Sequence, residues 1–369
     1  MITNKIVFLC GARDYHALDW YKSAKLLLKN FKVEIVTDLL SAEGLYNLTS
    51  SEDKVFKLFI IDRFLFKKQS LLGNIWRNFV KFCVLPVQVI KLKSYYRENS
   101  GAIFHAHGMY YMFLAASANV PYVGTPQGSE ILVRPQKSKF YKLFAKVALS
   151  NAKAISVDSN SMRLKMVEYF EINPYLIQNG IDLKAINEAK SQLDINSMRN
   201  RYTSIRGVSS LYRIHEISSN LINLNIKLTL LYPFFDKIYY KELIDKLECN
   251  KIIFDDLGRL NRSELYRVLF ESKVVFSFPK SDSSPRSVYE AIFCGAIVLI
   301  TYQKYYDDLP DCMKDRIILV DLNNQKSVKN AIVLSEKLLK DDYMPSVEAL
   351  EMFDQYQTFL SMASKLYLI

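Results

Sequence analysis

Cysteine is sparse in this 369-residue chain and never paired in spacing: Cys10, Cys83, Cys249, Cys294 and Cys312 are odd in number and form no C-x-x-C. That argues against a disulfide-framed secreted scaffold, and the apolar surroundings predict reduced core thiols in a cytosol. Long apolar runs are missing as well. No stretch reaches the roughly 18 consecutive apolar residues that a spanning helix needs. The start, Met1 to Cys10, runs into a strand pattern without the apolar region and cleavage site of a signal peptide. Neither G-x-G-x-x-G nor a Walker loop nor a G-x-S-x-G elbow occurs, which argues against hydride transfer, NTP hydrolysis and serine-hydrolase chemistry. Internal repeats of about 20 to 50 residues are also lacking.

What the chain does have is hydrophobic content, 50% of residues, and a length that predicts about two domains, since single cores rarely grow past roughly 250 residues. Its net charge of +11 is one-sided. Residues 1–185 hold 25 Lys and Arg against 14 Asp and Glu, while the rest holds 24 against 24. Such a field attracts a phosphate-rich polymer, an anionic membrane face or an acidic substrate. Residues 64–97 mix Phe, Leu, Val and Trp76 with Arg77, Lys81, Lys91 and Lys93, a pattern that suits either a membrane-interface segment or a core helix with a solvated basic face.

Short β-branched runs alternate with helical patterns. Strands are predicted at 5–10, 32–37, 102–105, 121–125 and 154–157, then at 202–205, 227–231, 251–254, 273–278, 296–300 and 317–320. This alternation predicts an α/β chain of two doubly wound parallel sheets. The turn-forming pair Asn179-Gly180 marks the join near residue 180. A last helical stripe, Leu350, Phe353, Tyr356, Leu360, Ala363 and Tyr367, has the spacing of one buried helix face.

The most informative segment runs from Phe276 to Ala296. A buried strand ends at Phe278, a polar loop follows, and Pro285 stands where a first helical turn tolerates it. The helix start, with Ser283, Ser284 and Ser287 around it, offers backbone N–H groups that can hold a diphosphate. Asp282 in the loop and Glu290 inside the helix can accept hydrogen bonds from sugar and ribose hydroxyls.

This block resembles the retaining family-4 glycosyltransferases, whose donor domain carries an acidic pair with seven residues between its members, followed by an Ala-x-x-x-Gly turn. Here the pair is Asp282 and Glu290, with Asp where Glu is usual, and the turn is Ala291 to Gly295. Asn179 to Asp182 is similar to the family's domain-joining turn and Leu260 to Tyr266 to its helix before the donor strand. The resemblance implies a GT-B fold: an acceptor domain over 1–180, a donor domain over 181–345, and a crossover helix over 346–369 packing back on the first domain, with the active site in the cleft. It further implies that Arg206 binds the diphosphate. The family's second cation falls on Leu211, so Arg213 or Lys280 is expected to replace it.

In the first half, His105-Ala106-His107-Gly108 and Thr125 to Glu130 end adjacent strands, where ligand crevices form. By resemblance, Gln127 takes the place of a family His near the transferring sugar and Glu130 matches an acidic position near donor or acceptor; His107, at its strand end, is expected to bind sugar or acceptor. The loop with Gly11 and Arg13 is similar to the family's glycine loop near the acceptor. His105 and His107 have only His16 and His215 for company and no cysteine pair nearby, so no metal is expected, and no cofactor. The expected partners are a nucleotide-sugar and a cell-surface glycan or lipid-linked acceptor, with an anionic membrane surface and no nucleic acid. The expected location is the cytoplasm, peripherally at the inner membrane face. Two other readings stay open at this point, a hydrolysing nucleotide-sugar epimerase on the same fold and a non-catalytic nucleic-acid or glycan-binding module.

Overall fold

The computed structural model describes residues 4–12, 14–39, 53–65, 71–193, 199–222, 224–339 and 342–368. Two compact units result, residues 1–179 with 355–369, and residues 180–354.

The first unit is a parallel sheet in the order β3-β2-β1-β4-β5-β6-β7. Its strands are β1 (Lys5–Leu9), β2 (Lys32–Thr37), β3 (Val55–Lys57), β4 (Ile103–His107), β5 (Tyr122–Thr125), β6 (Ala154–Val157) and β7 (Tyr175–Leu176). Helices α1 (Tyr15–Leu27), α2 (Leu71–Glu98), α3 (Met109–Ser117), α4 (Gly128–Leu132), α5 (Arg134–Lys137), α6 (Lys139–Ser150) and α7 (Asn160–Phe170) connect them. Ile6, Val7, Phe8 and Leu9 are all fully buried, because helices cover both faces of a parallel sheet.

The second unit repeats the plan in the order β10-β9-β8-β11-β12-β13. Its strands are β8 (Arg201–Ser204), β9 (Leu228–Leu231), β10 (Phe254–Gly258), β11 (Ser272–Ser277), β12 (Ile297–Ile300) and β13 (Ile317–Leu319). Its helices are α8 (Leu183–Ser191), α9 (Ile214–Asn220), α10 (Lys237–Cys249), α11 (Arg262–Glu271), α12 (Arg286–Phe293), α13 (Asp311–Lys314), α14 (Gln325–Leu338) and α15 (Val347–Phe353). The strand expected at 251–254 begins instead at Phe254. Lys251 adopts φ +54° and the Ile252 N–H donates to the Leu247 carbonyl at 2.9 Å, so the end of α10 consumes those residues.

In both units the chain winds outward through two strands and then returns to the other side of the first. The switch points lie between β1 and β4 and between β8 and β11. Crevices open at the carboxyl ends of strands at such points.

The final segment departs from the expected single helix over 346–369. Asp354 is extended, with φ −67° and ψ 126°, and splits the stripe. Ala349 and Phe353 of α15 lie in the core of the second unit, where the Ile181 N–H donates to the Phe353 carbonyl at 2.7 Å. Helix α16 (Gln355–Met362) and a π-helical turn over Ala363–Tyr367 place Phe359, Met362 and Leu366 in the core of the first.

Candidate active site

The switch point of the second unit is built from the loops after β8 and β11. Arg206 follows β8, and its guanidinium donates from Nη1 to Ser287 Oγ at 2.8 Å and from Nη2 to Asp282. Three sequence-predicted residues from the Arg206 loop, the β11 loop and the first turn of α12 therefore meet. Pro285 caps α12 with no side-chain hydrogen bond, and the first N–H groups of any helix lack acceptors within it. A guanidinium beside such a start favours an anion there. The Arg206 side chain is only 11% exposed, and its guanidinium lies 4.6 Å from the centre of the Tyr212 ring.

Asp282 is itself held in place. Its carboxylate accepts the Ser283 N–H at 3.0 Å, and its own N–H donates to Gln303 Oε1 at 3.2 Å. Gln303 Nε2 also reaches the Pro279 carbonyl at 3.0 Å. Tyr305, buried near Asp282, has its phenol pushed upward by burial and then by that carboxylate, and its Oη has no hydrogen-bond partner. Gln303 and Tyr305 escaped the sequence reading; the loop after β12 reaches the site only because β12 pairs with β11. Glu290 is buried inside α12, where Tyr266 Oη donates to it at 3.2 Å. Ser284 is half-buried in the same loop.

Arg213 differs from expectation. Its guanidinium donates to the Phe278 carbonyl at 2.7 Å, to the Pro279 carbonyl at 3.0 Å and to Thr301 Oγ1 at 2.9 Å. It clamps the loop backbone in place of offering its charge to a ligand. Lys280 is exposed at the loop, tied by its backbone N–H to the Leu211 carbonyl at 2.8 Å. Two glycines are set by geometry. A Cβ on Gly207 would stand 2.5 Å from the Phe234 ring. Gly295 ends α12 at φ +82°, where a Cβ would meet Arg199 Nη2 at 2.5 Å, which accounts for the Gly of the Ala-x-x-x-Gly turn.

In the first unit, Gln127 is exposed after β5, and its Nε2 donates at 3.2 Å to Asp14, which caps α1 through the Ala17 N–H at 3.1 Å. Gly11 follows β1, and a Cβ there would lie 2.8 Å from Tyr111 Oη. Arg13 lies outside the described residues. The Glu130 carboxylate accepts the Met109 N–H at 2.8 Å and the Gln127 N–H at 3.0 Å, and burial raises its pKa. It joins the loops after β4 and β5, so it positions Gln127.

His107 also departs from expectation. It is 2% exposed, and its ring lies 5.8 Å from Phe8, 5.3 Å from Trp20 and 4.2 Å from His105. Alternate residues of β4 point to the face covered by α1 and α16, so both histidines enter the core. His105 Nδ1 is 2.7 Å from Tyr367 Oη and Nε2 is 2.8 Å from Thr125 Oγ1.

A cluster that the sequence reading missed sits beside Gly11. Asp38 is fully buried after β2, bonded to Tyr111 Oη and 3.3 Å from Lys81 Nζ. Lys81 lies 3.8 Å from the Tyr110 ring centre, and burial lowers its pKa against the pull of Asp38.

Among the described residues no group of three or more His, Cys, Asp or Glu could hold a metal ion, and no helix is long and apolar enough to cross a membrane.

Residues 5–159 match the family model described as glycosyl transferase 4-like. No curated protein matches the chain. Solved structures do. Sucrose-phosphate synthase from Thermosynechococcus elongatus is 13% identical with a TM-score of 0.71, the match covering 99% of this chain and 98% of that one. HepE from Anabaena, solved in complex with UDP, is 15% identical with a TM-score of 0.70 over 99% and 100% of the two chains. A glycosyltransferase from Rickettsia africae is 12% identical with a TM-score of 0.70 over 99% of each. The expected two-sheet architecture is the fold these structures share.

Proposed function

We propose that this chain, whose residues 5–159 match the glycosyl transferase 4-like model and whose fold is shared with solved glycosyltransferases, is itself a glycosyltransferase in which residues 180–354 bind a nucleoside-diphosphate-sugar and residues 1–179 bind the acceptor. The observation that carries this reading is the meeting of Arg206, Asp282 and Ser287 at the start of α12. A diphosphate placed there replaces Asp282 as the partner of Arg206, and the guanidinium and helix N–H groups stabilise the charge that grows on the leaving group. Asp282, released from the ion pair, accepts a hydroxyl of the donor sugar. Glu290, oriented by Tyr266, holds the ribose, and Ser283, Ser284 and Lys280 border the phosphates.

The reaction is retaining. The acceptor oxygen bonds to the anomeric carbon on the face that the diphosphate leaves, the carbon–diphosphate bond breaks, and the acceptor proton passes to the leaving phosphate oxygen. Gln127 orients the sugar and cannot serve as a base, and the Gly11 loop borders the acceptor. The cation excess of residues 1–185 favours an acceptor at an anionic membrane face, a growing glycan or a lipid-linked oligosaccharide, with the enzyme peripheral to the cytoplasmic side.

Thermal shift with nucleoside diphosphates and nucleotide-sugars tests the donor site, uridine first because HepE was solved with UDP and with UDP-glucose. Stabilisation lost in Glu290→Ala supports the assignment. No response to any nucleotide refutes it, and free sugar released without an acceptor would move the reading to a hydrolysing epimerase.

A further inference from the structure

Two stretches of the first unit, far apart in sequence, carry cations without a single acid. Residues 71–97, nearly all of α2, hold five Lys and Arg and no Asp or Glu, and residues 133–150 through α5 and α6 do the same. Both also expose large apolar side chains in helical register. On α2 these include Ile75, Phe79 and Phe82, the last 72% exposed. On α6 they are Phe140, Leu143 and Val147, with Phe140 78% exposed.

The two helices share one layer with α3 between them. Lys81 of α2 lies against the Tyr110 ring of α3 at 3.8 Å, and Phe144 of α6 packs on Phe113 of α3 with ring centres 4.3 Å apart. The layer adjoins the crevice of the first unit, since Lys81 is tied to Asp38 and Arg134 stands 3.7 Å from Glu130. Apolar side chains ringed by cations are the composition of a surface that enters a bilayer interface. A second copy of the chain is disfavoured, because that contact sets one acid-free cationic face against another.

We infer that α2 and α6 together form a docking surface for an anionic lipid bilayer, apolar residues entering the interface and lysines meeting lipid phosphates. This rests on the membrane-facing acceptor proposed above, and it adds α6, which neither charge nor spacing had singled out. The test is co-sedimentation of the full chain with phosphatidylcholine vesicles, with and without phosphatidylglycerol. Wild type is expected to bind only the anionic vesicles, less so at high salt. Phe140→Ser with Leu143→Ser, and separately Lys142→Glu with Lys146→Glu, are expected to lower partitioning about tenfold or more, with the melting temperature unchanged. The proposal is overturned if these variants bind like wild type while Phe79→Ser with Phe82→Ser does not bind, though the membrane reading then survives. It is also overturned if wild type ignores both vesicles, or if it binds duplex DNA instead; nucleotide binding, measured separately, shows whether the donor-site reading stands.

Discussion

Removing the Arg206 guanidinium is the sharpest perturbation of the proposed donor site. Its side chain is 11% exposed and fixed between Asp282 and Ser287, so little rotamer freedom is lost when a diphosphate arrives. A hydrogen bond to a charged group contributes about 1.5–3 kcal/mol. Part of this is offset by releasing Asp282, so Arg206→Ala is expected to weaken nucleoside diphosphate binding roughly 10- to 100-fold. In thermal shift at a ligand concentration about 100 times the wild-type Kd, wild type gains about 2.7 kcal/mol, and a roughly 30-fold weaker variant gains about 0.9 kcal/mol. Binding of the matching nucleoside, which has no phosphate, is expected to stay unchanged. Diphosphate affinity within about threefold of wild type, or an equal loss for the nucleoside, would refute a phosphate role for Arg206.

Three further outcomes follow from the packing. Gly207→Val places a branched side chain against the Phe234 ring, 2.5 Å from the Cβ position, and is expected to cost about 1–3 kcal/mol in urea unfolding, largely recovered by adding Phe234→Ala. Glu130→Ala strands the N–H groups of Met109 and Gln127 and is expected to cost about 1–3 kcal/mol, while Glu130→Gln keeps an oxygen for both and stays near wild type in stability. A large loss of turnover in the stable Gln variant would instead give the charge a chemical role. Burial holds His107 down at about 3 and lowers His105 as well, whereas the unfolded rings titrate near about 6.5. Below that pH the unfolded chain binds more protons, so stability is full above it and falls on acidification, by about 2 kcal/mol at pH 5 from His107 alone. His107→Gln is expected to flatten the fall of the urea midpoint with acid; an unchanged slope would show that His107 does not drive it.

Much of the architecture was legible because its signals are local. The alternation of β-branched runs and helical stripes depends on neighbours a few residues apart, and it sufficed for two parallel sheets. The strand, polar loop, Pro285 and Ala291-to-Gly295 turn likewise form one continuous segment, so Asp282, Ser287 and Glu290 could be picked out together. What only the tertiary structure decided were choices between partners distant in sequence. A strand does not announce which of its faces a helix will cover, so His107 looked available until α1 and α16 closed over it. Arg206 and Arg213 lie seven residues apart and look alike in sequence. One meets Asp282 and Ser287, and the other is taken up by Phe278, Pro279 and Thr301. The Asp38–Lys81–Tyr111 cluster had no spacing to betray it, since an ion pair needs only proximity and three separate segments supply it. Composition and periodicity determined the sheets, while long-range packing decided which side chains remained for chemistry, because burial and hydrogen bonding depend on what the rest of the chain brings alongside.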